Sequence, residues 1–193
     1  VMGFTQGFSI RISRTFGAED YGNMKRSMHM IFFLCAFFSI LTTVAAELSI
    51  VPLLKLLHTP SNVIQGSITY LRIMSGGLTI TMFYNCFSSI LRSLGDSRTP
   101  LLAMIGGAII NICLDLLFVV VFKWGIAGAA IATLLAQFLT TLFCLYMLKK
   151  ELPFKLELTQ FKFEKKIIQN LLQLGSPLAF QNLIISIGGI MVQ

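Results

Sequence analysis

The chain has 193 residues, 55% hydrophobic and only 12% charged, with a mean hydropathy of +0.81. A soluble domain carries about 25% charged residues, so this apolar surface cannot all be hidden in one water-facing core, and lipid is the expected solvent. The formal charge of +7 would suit nucleic acid only on a folded basic face. Here the basic residues fall into alternate connections between apolar segments, so nucleic acid is excluded as a partner.

In chain order, Val1 to Ile10 reads as the end of a span. Apolar segments follow at Met28 to about Leu54, about Val63 to Leu91, Pro100 to Phe122, Ile126 to Met147, and Leu174 to the end. Each complete one reaches the ~20 residues that a helix needs to cross ~30 Å of hydrocarbon. Strict polar/apolar alternation is missing, so membrane strands are excluded. The expected fold is an all-α polytopic helix bundle. The chain starts at Val1 rather than Met and stops at Gln193 inside an apolar run, as expected of an internal piece of a longer protein; a missing signal peptide then says nothing.

The connections alternate in charge. Arg11 to Arg26 carries four basic residues, Arg92 to Arg98 two, and Lys149 to Lys166 six lysines, whereas the intervening connections hold only Lys55 and Lys123. The positive-inside rule makes the three basic connections cytoplasmic. Asp96, in Leu94-Gly-Asp-Ser-Arg-Thr-Pro100, reads as a turn residue and helix cap. Phe161 to Leu172 separates apolar from charged residues at helical spacing, which predicts a helix lying on the membrane surface before a new span opens at Gly175-Ser-Pro177. Cys35, Cys86, Cys113 and Cys144 lack metal-ligand spacing and are expected to be buried packing thiols. The chain shows no nucleophile–base pair, metal cluster or phosphate loop, so an enzyme is not expected, nor a cofactor.

Asp115 is the one charged side chain in Pro100–Phe122. A charge near the bilayer centre costs roughly 3 kcal/mol on insertion scales, so such a group usually faces a protein-lined cavity and has a function. Asn111 precedes it by four residues, on the same helical face. Only Lys123–Gly125 separates this span from the next, so the two are antiparallel neighbours, and Thr133 lies as far beyond the turn as Asp115 lies before it. A carboxylate, an amide and a hydroxyl at one depth can hold a proton or a small cation. Gln137, Asn85 and Arg72 are further polar groups within the spans and are candidates for lining a cavity. For Gln137 ordinary interhelical hydrogen bonding is the stronger expectation, and for Arg72 an ion pair with a carboxylate elsewhere in the bundle. Gly128, Ala132, Ala136 and Thr140 form a small-residue stripe on which another helix can approach closely.

Four stretches resemble the multidrug and toxic compound extrusion (MATE) family: Gly7-Phe-Ser-Ile-Arg-Ile-Ser-Arg-Thr-Phe-Gly-Ala-Glu-Asp20, Leu91-Arg-Ser-Leu-Gly-Asp-Ser-Arg-Thr-Pro100, Asn111-Ile-Cys-Leu-Asp115 and Gly125-Ile-Ala-Gly-Ala-Ala-Ile-Ala-Thr133. The resemblance implies twelve helices in two lobes, of which this chain covers the end of helix 2 through part of helix 7. Residues 1–148 would belong to the N-terminal lobe, 149–172 to a cytoplasmic inter-lobe link, and 173–193 to the start of the second lobe. In the bacterial DNA-damage-inducible branch, it implies that Asp115, Asn111 and Thr133 line the proton or sodium site; a helix 1 aspartate that completes the cluster would lie before Val1. It further implies a monomeric bacterial inner-membrane antiporter that exports drugs or organic cations by alternating access, with H+ or Na+ as the coupling ion and lipid as its other partner. The rival expectations are a lipid-linked oligosaccharide flippase of the same superfamily, which needs a basic cavity for which only Arg72 qualifies, and a non-transporting membrane scaffold.

Overall fold

The computed structural model describes residues 2–57, 60–154 and 164–191, and these are helical almost throughout. Helix α1 covers Met2–Gly17, α2 Tyr21–Leu56, α3 Ser61–Gly76, α4 Leu78–Ser93, α5 Arg98–Asp115, α6 Gly125–Glu151 and α7 Lys165–Met191. Helix α5 runs straight on into a π-helical segment, Leu116–Val121, whose rings close over one residue more than an α-helix. Among the described residues, α2, Arg98–Val121 and α6 are long and apolar enough to cross a membrane. Leu48, Ile112 and Phe180 are more than half exposed, an arrangement that fits a lipid solvent.

Short polar turns end the helices. Asp20 Oδ1 accepts from Asn23 N at 3.0 Å at the start of α2, and Asp96 Oδ1 accepts from Arg98 N at 3.0 Å and Thr99 N at 2.9 Å at the start of α5. Gly95 supplies the left-handed φ of 96° before that cap. The α6 entry is tighter still, with Lys123 and Gly125 at φ 56° and 57°.

Three expectations are corrected. The span expected over Val63–Leu91 is two helices, parted at Gly77 (φ −85°, ψ −2°). A Cβ there would run into the Leu134 side chain of α6, so α6 packs closely on the chain at this glycine. The surface helix and the span expected to open at Gly175 are one continuous helix, α7, with Pro177 inside it; residues 161–163 of the expected surface helix lie outside the described residues. Cys35, Cys86 and Cys144 are buried as expected, but Cys113 is exposed, because it falls on the outward side of α5 beside Ile112.

The chain forms two compact units, and α2, α4, α5 and α6 each contribute to both. The first comprises Val1–Cys35, Asn85–Pro100 and Cys144–Gln193. Its core includes Phe8, Ile12, Met28, Leu91, Leu148 and Leu171. There α1 and α7 approach so closely that a Cβ on Gly7 would lie 2.6 Å from Gly175 N. Arg11 ties three helices together, donating from Nε to Ser27 Oγ at 2.8 Å and from an Nη to Asn170 Oδ1 at 2.9 Å. Arg26 pairs with Glu164 at 3.5 Å.

The second unit comprises Ala36–Tyr84 and Leu101–Phe143. All four residues of the small-residue stripe are buried. A Cβ on Gly107 of α5 would lie 2.5 Å from Thr140 Oγ1, so these two helices meet over the stripe. Helices α2 and α3 are joined by Arg72 Nε, 3.9 Å from Glu47 Oε2, while the Ser75 hydroxyl donates to the other oxygen of Glu47.

Candidate functional site

Helices α4, α5 and α6 line an open cavity of about 230 Å³ in the second unit, bordered by Tyr84, Met104, Gly107, Ala108, Asn111, Thr133, Ala136, Gln137 and Thr140. Small residues create the space, since Gly107, Ala108 and Ala136 leave room that larger side chains would fill. The polar lining is neutral: two amides, two hydroxyls and a phenol, which can accept from or donate to a ligand without carrying charge.

Asn111 Nδ2 donates to Thr133 Oγ1 at 3.3 Å, and Thr133 Oγ1 donates to Ala129 O at 3.0 Å. The first of these bonds is long for an N–H···O contact. Gln137 Oε1 accepts from Thr81 Oγ1 at 2.8 Å while its side chain also lines the cavity. Asn111, Thr133 and Gln137 therefore share this cavity, and Thr133 bonds Asn111 rather than the Asp115 that counting from the turn places at its depth.

Asp115 is placed differently. It is not among the residues lining this cavity, although it sits one turn from Asn111. Its Oδ1 is buried and has no hydrogen-bond partner. The amide that its i−4 position offers is turned to Thr133 instead. A buried polar atom left unpaired costs about 1–3 kcal/mol, more when charged, so Asp115 Oδ1 is a group of this region that the local structure leaves unsatisfied.

Asn85 and Arg72 do not line this cavity. Asn85 is half-buried on α4, and Arg72 is occupied by Glu47. Sequence reasoning missed Tyr84, Met104 and Thr140 as lining and Thr81 as the partner of Gln137. Thr140 carried a signal, as the last member of the small-residue stripe; Met104 and Tyr84 carried none, because helical spacing alone does not say which apolar face meets a cavity.

The fold is that of a polytopic membrane transporter. It superposes on a solved structure described as the inward-facing conformation of a multidrug resistance MATE family transporter of the MOP superfamily, with a TM-score of 0.87 and 29% identity over 96% of this chain and 43% of that one. An outward-facing conformation matches with a TM-score of 0.88 and 29% identity over 98% of this chain and 42% of that one. In sequence, the chain is 40% identical to the probable multidrug resistance protein YpnP of Bacillus subtilis over 72% of this chain and 31% of the relative. YoeA of the same organism, another probable multidrug resistance protein, is 29% identical over 99% of this chain and 43% of its own length.

The family model described as MatE matches residues 1–117, and the chain belongs to that family. It is a bacterial multi-pass membrane protein of a transporter family, not an enzyme family. The chain spans less than half the length of these relatives.

Proposed function

We propose that the chain forms the N-terminal lobe, from the second helix into the seventh, of a monomeric secondary active exporter resembling the DNA-damage-inducible branch of the family. In this reading, organic and often cationic compounds leave the cell in exchange for H+ or Na+. The two lobes rock around a central cavity. The observation that carries the site is the buried, unpartnered Oδ1 of Asp115 next to the Asn111–Thr133–Gln137 cavity. Asp115 takes up the ion, Asn111 and Thr133 supply neutral oxygens around it, and Gln137 with Thr81 walls the space. Antiport follows because one negative carboxyl favours the incoming ion or the cationic drug, not both at once. Support from the relatives is their description as probable multidrug resistance proteins.

A basic cavity of the kind a flippase for anionic lipid-linked sugars needs is not supported, since Arg72 is matched by Glu47. The test is gradient-driven efflux of a fluorescent organic cation from vesicles holding the full-length protein. Asp115→Asn, which keeps shape but cannot titrate or neutralise a cation, is expected to fold and to abolish coupling. Normal coupled efflux by that variant would sink the reading.

A further inference from the structure

The π-helical segment Leu116–Val121 begins at the residue after Asp115, and Phe118 is its one buried residue. Phe118 stacks on Phe122 with ring centroids 5.9 Å apart and packs at a tilt on Trp124 at 5.1 Å. Its carbonyl accepts from Trp124 N at 2.9 Å, and Leu117 O accepts from Phe122 N at 2.9 Å. From the α6 side, a Cβ on Gly128 would lie 3.2 Å from Phe118 Cβ and 3.0 Å from Trp124 Cβ. The segment is thus held wide by an aromatic cluster seated on a glycine. Wide turns of this kind are rare and recur at functional sites.

The width has a geometric consequence. Rewinding to α-helical rings removes one residue of slack, which is about 100° around the axis and about 1.5 Å along it. Asn111 and Asp115 lie before the segment, whereas the Phe122–Gly125 turn and Thr133 lie after it. An all-α helix joined to the same turn would therefore carry the Asn111/Asp115 face away from Thr133.

We propose that Phe118 is a positioning residue for the ion site: by keeping Leu116–Val121 π-wound against Gly128, it sets the face of α5 that meets Thr133. Phe118 touches no ion; it acts through the register of Asn111 and Asp115. The inference rests on Asp115 being the ion-binding group, and its test has one readout independent of that.

In full-length protein lacking native cysteines, Asn111→Cys and Thr133→Cys are oxidised to a disulfide, with and without Phe118→Ala. On the Asn111 background, Na+ and proton binding are titrated directly. Phe118→Ala is expected to lower cross-linking severalfold and to weaken ion binding roughly 10- to 100-fold, as losses of orienting partners do at ion sites. Gly128→Ala, which pushes Phe118 from the opposite side, is expected to act in the same direction and serves if Phe118→Ala does not fold. Phe118→Tyr, which keeps the ring, and Val120→Ala on the exposed side of the segment are expected to leave both readouts near wild type. Unchanged cross-linking, or lost cross-linking with unchanged ion binding, would overturn the proposal. Ion binding that survives Asp115→Asn would instead overturn the site reading, and cross-linking would still decide the role of Phe118.

Discussion

Helix α5 has an aspartate at each end, and the two have opposite surroundings. Asp96 stands in the connection at the helix start, where Oδ1 accepts two backbone N–H groups and the helix dipole favours a negative charge. Asp115 ends the α-helical part of the same helix inside the apolar segment, where no N–H reaches its buried Oδ1 and the dipole offers no help. Asp96 also has a buried oxygen without a donor, Oδ2, and its carboxyl interacts with Glu151 at the end of α6. One aspartate is thus explained by the structure it caps, whereas no hydrogen bond accounts for the buried oxygen of the other. A carboxylate becomes a candidate site when local structure gives it no use.

The largest effect that can break this contrast is at Asp115. Asp115→Asn should abolish ion-coupled efflux without loss of folded protein, whereas Asp96→Asn, which still caps a helix, should leave coupling intact. Equal losses in both would remove the distinction. Gly7→Val, which drives a side chain into Gly175, should destabilise the protein by about 1–3 kcal/mol or more in thermal unfolding in detergent, because α1 and α7 have no space to yield. An unchanged melting temperature would mean that the two helices separate freely.

Asn111→Ala and Thr133→Ala should each weaken coupling by about fivefold, corresponding to one neutral hydrogen bond of about 1 kcal/mol. An effect as large as that of Asp115→Asn would make them full partners in charge neutralisation. Asp96→Ala should cost about 1 kcal/mol of stability, with no change in ion dependence.

The smallest effect is on pH dependence. Partial burial alone would raise the Asp96 pKa, but hydrogen bonds from Thr99, Glu151 and the Arg98 N–H outweigh it and hold the group below the usual range. Beyond the apolar stretch of α6, burial and then the Asp96 charge push Glu151 above its usual value. The Asp96 contribution to stability is therefore present above the unfolded carboxylate range and lost as pH falls through its lowered value. The Glu151 contribution is present below that range and lost as pH rises through its raised value. Glu151→Gln should remove the alkaline-side loss from a melting curve measured across acidic pH while leaving the acid-side loss.

Topology offers an independent check, since Ser97→Cys should be shielded from an impermeant maleimide added outside intact cells. Labelling from outside would invert the topology expected from the charge pattern, in which the Asp96 connection is cytoplasmic.

Composition alone determined that the chain lives in lipid, because so few charges cannot solvate so much apolar surface, and length and hydropathy marked most of the helices. The three-residue link at Lys123–Gly125 made α5 and α6 neighbours, but counting from the turn paired Thr133 with Asp115, whereas in the structure it is Asn111, one turn earlier, that bonds Thr133. Gly77 could not be read as a break, because its role depends on Leu134, a residue distant in sequence. The continuity of α7 through Pro177 was hidden for a similar reason: Gly-Ser-Pro is a local stop signal, and packing of Gly175 against Gly7 overrides it. Tertiary structure alone decided that Asp115 stays out of the cavity its neighbours line, and that a π turn follows it. Residue spacing fixes which side chains share a face of a regular helix. Only packing, here Phe118 against Gly128, decides where the helix stops being regular.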